Sequence, residues 1–179
     1  IVHSLLRQFG PENWTLYKGL HLLSFVDNHD VTRIASILEN EKHLPLIYAM
    51  MFGMPGIPCV YYGSEWGAKG NKSDGDQAEP VENELSEFIG RLAEAKKGSR
   101  ALNFGDFRSV VLTNKQCIFE RAVEGERVLV AINADSEPYM AHFDAGCGMA
   151  VDLISGESHD FGGGSTLPAY SAFFWKCEV

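Results

Sequence analysis

Within seven residues, Asp27-Asn28-His29-Asp30 and Arg33 bring together two carboxylates, an imidazole, an amide and a guanidinium. Carboxylates accept hydrogen bonds and an imidazole can donate them, so the group is suited to holding a polar substrate. It directly follows the apolar run Leu20 to Val26, which fits a strand buried on both faces. In an α/β barrel, the C-terminal ends of the strands are where binding and catalytic groups project. A purely structural use of the same residues also exists: Asp30 as a helix cap, Asp27 as the ion partner of Arg33, and His29 as a buried histidine. Other chemistries lack support. The remaining histidines are scattered without a zinc-binding spacing. Asp74 and Asp76 lack the later ligands of an EF-hand loop and read as a solvated turn.

The elements that must position this cluster follow from periodicity. After the strand at Leu20 to Val26, Asp30 or Thr32 can cap a helix carrying Ile34, Ile37 and Leu38. A second helix, Leu44 to Phe52, stops at Gly53 with Pro55 beyond, and Pro58 to Tyr62 is the next strand. Strand, helix, strand in this order predicts a parallel crossover. Gly63 to Glu82 has no period and is a candidate active-site loop. Leu85, Phe88, Ile89, Leu92 and Ala93 mark an amphipathic helix over Glu84 to Lys97. Beyond it, Phe107 to Thr113, Gln116 to Val123, Arg127 to Asn133, Pro138 to Phe143, Met149 to Ile154 and Ala169 to Cys177 are short β-forming runs separated by Gly and Asn/Asp turns. They predict an antiparallel β-sandwich. The domain division is therefore expected at residues 1–100 and 101–179.

Composition narrows the function. The 179 residues carry a formal charge of −9 and no Lys/Arg-rich run, so neither nucleic acid nor an anionic membrane surface is an expected partner. No apolar run reaches the ~20 residues that span a bilayer, and a soluble protein is expected. Cys59, Cys117, Cys147 and Cys177 stand far apart without CxxC spacing, and free, buried thiols are favoured over disulfides. The chain begins at Ile1 inside an apolar segment, which suggests a piece of a longer protein. Its location, cytoplasmic or secreted, is left open.

Two segments carry a resemblance. Phe25-Val26-Asp27-Asn28-His29-Asp30 matches F-x-x-N-H-D, and Gly56 to Glu65 (Gly-Ile-Pro-Cys-Val-Tyr-Tyr-Gly-Ser-Glu) matches G-x-P-x-x-Y-Y-G-x-E. These resemble the seventh and eighth barrel strands of the α-amylase family of glycoside hydrolases. Ala101 to Arg108 is similar to that family's entry into its C-terminal β-sandwich. The resemblance spans essentially the whole chain. It implies the C-terminal portion of a (β/α)8 barrel followed by an antiparallel Greek-key β-sandwich.

By position, the resemblance makes Asp30 the family's third invariant carboxylate. That residue is neither nucleophile nor acid, and it accepts hydrogen bonds from ring hydroxyls that strengthen as the sugar distorts. His29 would donate to the same hydroxyls. Asn28 would hold His29 and the turn or touch sugar, and Arg33 would hold a carboxylate of the site or cap the local fold. Tyr61 and Tyr62 are read as one packed and one rim residue, with stacking on sugar as the alternative, and Glu65 as a loop anchor.

Retaining glycosidases also need a nucleophile and an acid/base about 5 Å apart. In this family both come from barrel strands four and five, and the 19 residues before Leu20 cannot hold them, because a whole barrel takes roughly 250 residues. The expected function is thus a fragment of a retaining enzyme acting on α-1,4-glucans such as starch and maltodextrins, hydrolase or transglycosylase, inactive on its own. Its partner would be an α-glucan oligosaccharide. No cofactor is expected in these residues, Ca²⁺ belonging to another part of the enzyme, and the open barrel edges suggest self-association. The alternative is a non-catalytic carbohydrate-binding or scaffold module.

Overall fold

The computed structural model describes residues 2–71 and 79–178. Its first part contains α1 (Val2–Phe9), β1 (Leu23–Ser24), α2 (Ile34–Ile37), α3 (His43–Gly53), β2 (Ile57–Pro58), a 3₁₀ turn (Ser64–Trp66) and α4 (Glu84–Gly98). The second part contains α5 (Arg100–Phe104) and the strands β3 (Asp106–Leu112), β4 (Gln116–Val123), β5 (Glu126–Asn133), β6 (Tyr139–Ala141), β7 (Met149–Asp152), β8 (Ser158–Asp160), β9 (Ser165–Leu167) and β10 (Ser171–Cys177).

β1 and β2 pair in parallel, with Leu23 opposite Ile57 and Ser24 opposite Pro58, and the chain between them passes through α2 and α3. Ile57 N donates to Leu22 O (2.8 Å) and Cys59 N to Ser24 O (2.7 Å), which extends the ladder on both sides. Gly56 makes this pairing possible. Its φ is +114°, and a Cβ there would stand 2.7 Å from both Leu22 O and the Ser24 hydroxyl, so only glycine lets the chain approach β1 this closely.

Two expectations about these strands are corrected. Each is only two residues long, and Leu20 to Val26 is not buried on both faces: Leu23 is 62% and Phe25 49% exposed. The cause is pairing. Among the described residues β1 has only β2 beside it, no barrel closes, and no layer covers its apolar side chains.

α3 is apolar nearly all round because it is enclosed nearly all round. Leu44, Leu46, Tyr48, Ala49, Met51 and Phe52 are buried, and the helix packs against α4 as well as β5 and β10. Gly53 allows the approach to β5, since a Cβ there would come within 2.9 Å of Val130 Cγ1. α4 starts at a capping box: Asn83 accepts from Ser86 N (3.0 Å), and the Ser86 hydroxyl accepts from Asn83 N (2.9 Å).

The expected antiparallel β-sandwich forms as a six-stranded sheet in the order β3-β4-β5-β10-β7-β8 with a two-stranded sheet β6-β9. One core lies between the large sheet and the helices, through Phe107, Phe119, Val128, Val130 and Phe174. The other lies between the sheets, through Ile118, Leu129, Ala131, Leu167 and Trp175. Both faces of β4 and β5 are therefore covered, which explains the apolar runs Cys117 to Phe119 and Val128 to Ile132. β8 and β9 are three-residue segments, mostly polar, that flank the glycine run 162–164, and neither they nor α1 stood out in the sequence.

A buried cation joins the two parts: the carbonyl of Gly53 accepts from Arg121 Nη1 of β4 (2.9 Å), and beside it, within the first part, that of Met54 accepts from Lys96 Nζ of α4 (2.8 Å). These carbonyls end α3 without intrahelical partners, and cations are favoured at a helix C-terminus. Burial, reinforced by the neighbouring Arg121 charge, pushes Lys96 down to about 7.

Candidate functional site

The polar cluster at the end of β1 divides into a buried base and an exposed rim. Asp27, 1% exposed, is the centre of the base. One carboxylate oxygen accepts from the Ser64 hydroxyl (2.5 Å) and the other from Ile34 N (2.8 Å). The carboxylate thus caps α2 from seven residues upstream, where the helix dipole favours a negative charge. This corrects the expectation that Asp30 or Thr32 caps this helix. The local N-cap position is held by Arg33, whose side chain makes no capping bond.

Arg33 is also buried. Its Nη1 donates to the Ser64 hydroxyl (3.1 Å), and its guanidinium lies over the Tyr61 ring at 4.4 Å. Ser64 accepts from Arg33 while donating to Asp27, so one hydroxyl bridges cation and carboxylate. Tyr48, on α3, completes the base by donating to Ser64 O (3.1 Å). Burial first, then the Asp27 charge, raises its hydroxyl above the usual tyrosine range. Ser64 and Tyr48 were not picked out from the sequence: one sits in an aperiodic loop and the other in an apolar helix, and neither type or spacing marked them.

Above this base stand His29 and Asp30, with exposed side chains and His29 Nε2 3.3 Å from Asp30 Oδ2. His29 is therefore not a buried histidine. The turn that presents them is held by Asn28, whose side-chain oxygen accepts from Asp30 N (2.7 Å). The His29 and Tyr61 rings lie 6.1 Å apart. Tyr62 is 46% exposed and packs edge-on against Trp66. Glu65 keeps one buried carboxylate oxygen without a hydrogen-bond partner among the described residues.

The loop after β2 is tied back to this region. Arg33 N donates to Gly70 O (3.1 Å) and Gly70 N to the Ser36 hydroxyl (2.9 Å). Asp74 and Asp76 lie outside the described residues. Among the described residues, no three His, Cys, Asp or Glu side chains gather as a metal-binding group, and no helix is long and apolar enough to cross a membrane.

The sequence profile of the α-amylase catalytic domain matches residues 12–101, half of the chain, including both strands and the cluster between them. The chain belongs to the α-amylase family. A cyclomaltodextrin glucanotransferase of Niallia circulans is 25% identical over 146 residues, 79% of this chain and 20% of that protein. The α-amylase family structures agree in fold. An Anoxybacillus α-amylase superposes with a TM-score of 0.79 at 25% identity, over 88% of this chain and 38% of its own. An α-amylase from Geobacillus thermoleovorans, complexed with acarbose, gives 0.80 at 21% identity, over 92% of this chain and 40% of its own. The chain thus spans about a fifth of that glucanotransferase and about two fifths of these α-amylase structures.

Proposed function

We propose that this chain is the portion of a retaining α-glucan-acting glycoside hydrolase that carries the transition-state-stabilising carboxylate, Asp30, and lacks the nucleophile and acid/base. In this reading residues 1–100 are the C-terminal part of the barrel and residues 101–179 the β-sandwich domain. The observation that supports it best is the division of the cluster. A solvent-facing Asp30–His29 pair stands on a buried base of Asp27, Ser64, Arg33 and Tyr48, so two hydrogen-bonding groups are presented from a support that cannot easily shift.

Asp30 accepts from ring hydroxyls, and a charged acceptor makes a stronger bond than a neutral one. His29 donates to the same sugar. Asn28 holds the turn. Arg33, buried beneath the pair, positions Tyr61 and Ser64 rather than touching substrate. Among the described residues no three His, Cys, Asp or Glu side chains gather as a donor set for a metal ion. The sandwich supports rather than binds: its Trp175 is 2% exposed and offers no ring face to a sugar.

Titration of the chain with a maltooligosaccharide, followed by NMR, tests this reading. Binding is expected to perturb His29 and to weaken about tenfold in Asp30→Asn, the loss of one charge-assisted hydrogen bond, with no reducing ends released by either protein. Binding that ignores the substitution, or turnover that the substitution abolishes, would overturn it.

A further inference from the structure

Cys147 and Cys177 belong to the sheet-rich part of the chain and take no part in the cluster described above. Cys177 ends β10 and is buried, while Cys147 lies before β7 and is partly exposed. The sulfurs share one partner: Arg127 Nη2 reaches Cys177 Sγ at 3.2 Å and Cys147 Sγ at 3.6 Å. The two thiols also interact with each other. They line a cavity of about 210 Å³ with Arg127, Glu126, Gly146 and Glu178, so a small molecule can reach Cys147.

We propose that Cys147 and Cys177 form an oxidisable dithiol site whose reaction partner is a low-molecular-weight disulfide. The Arg127 guanidinium donates to both sulfurs and opposes a metal cation there. Glu120, 3.5 Å from Arg127 Nε, fixes the guanidinium in place. Exposure sets the order of events. Burial, together with the bond to Cys147, pushes the Cys177 thiol up to about 11, so Cys147 attacks first.

Its thiolate attacks one sulfur of the small disulfide; that S–S bond breaks, and one thiolate leaves with the electron pair. Cys177 then loses its proton to water and attacks the Cys147 sulfur of the mixed disulfide. The mixed S–S bond breaks and the second thiolate leaves. The protein dithiol is oxidised by two electrons and the small disulfide is reduced to two thiols. The new bond would tie the end of the last strand to the segment before β7.

Oxidised glutathione is the probe. After incubation at mildly alkaline pH, the chain is unfolded, alkylated and mapped by mass spectrometry. A peptide linking Cys147 to Cys177, with Cys59 and Cys117 alkylated, is the expected result. Closing this loop of about 30 residues should raise Tm by roughly 5–10 °C. In Cys177→Ser the reaction should stop at glutathione on Cys147. In Arg127→Gln, which removes the donor shared by the two sulfurs, the Cys147–Cys177 link should form more slowly. Four alkylated cysteines, a link through Cys59, or glutathione retained on Cys147 of the unsubstituted chain would overturn the proposal, and an unchanged Arg127→Gln rate would remove Arg127 from it.

Discussion

Replacing Lys96 by Met is expected to reverse its effect on stability between pH 6 and pH 10. Lys96 is 5% exposed, in α4 beside Arg121 of the large sheet, and its ammonium donates to Met54 O. In the unfolded chain the ammonium has its ordinary pKa of 10.5, whereas in the folded chain burial and the Arg121 charge lower it to about 7. Between those values the unfolded chain binds the extra proton, so stability rises with pH across the window and this group adds no slope below it. At ~1.36 kcal/mol per pKa unit, the protonated side chain costs the fold about 4–5 kcal/mol at pH 6. Met removes that cost but leaves the Met54 carbonyl unpartnered, a loss of about 1–2 kcal/mol. Lys96→Met should therefore be more stable than the unsubstituted chain by about 3 kcal/mol at pH 6 and less stable by up to about 1 kcal/mol at pH 10, where part of the penalty persists below the unfolded pKa. Urea unfolding followed by tryptophan fluorescence at several pH values measures the difference, in which the other titrating groups cancel. Parallel stability curves for the two proteins would show that the buried ammonium carries no such cost, and would refute the reasoning.

Asp27→Asn should cost about 2–4 kcal/mol in the same assay, because an amide cannot accept from both Ser64 and Ile34 with the strength of a carboxylate; a loss below about 1 kcal/mol would mean that Asp27 is not the centre of the base. Asp30→Asn, at an exposed position, should leave unfolding within about 0.5 kcal/mol while weakening sugar binding, and an equal loss of stability would place Asp30 in the structural base instead. The exposed row of Leu20, Leu23, Phe25 and Ile57 should make the 179-residue chain associate with itself, as apolar patches and open strand edges do; light scattering that finds a monodisperse monomer across a wide concentration range would exclude this.

Some of the molecule was legible because local pattern and tertiary environment agree. Gln116 to Val123 reads as a strand and is one, to the residue, since both of its faces are covered and its β-formers Cys117, Ile118, Phe119 and Val123 sit between turn residues. The spacing over Glu84 to Lys97 marks α4 because that helix has one buried stripe and one wet face. Leu20 to Val26 shows the opposite case. Its apolar run is what a doubly covered strand needs, yet the described chain supplies only one two-residue neighbour, so composition overstated both strand length and burial.

The cluster at the end of β1 was visible as residue types, and its resemblance to the α-amylase family pointed to the rim pair His29 and Asp30. The sequence by itself determined which polar groups lie together, because they are consecutive or one helical turn apart. Only the tertiary structure decided which of them faces water. Asp27 and Asp30 are chemically alike and three residues apart, but Asp27 points into a base completed by Ser64, 37 residues away, and Asp30 points out. The same holds for Lys96 beneath α3 and for Arg127 between two cysteines. In each case a side chain's role follows from partners brought near by folding, and burial and charge proximity are properties of three-dimensional distance that sequence spacing does not contain.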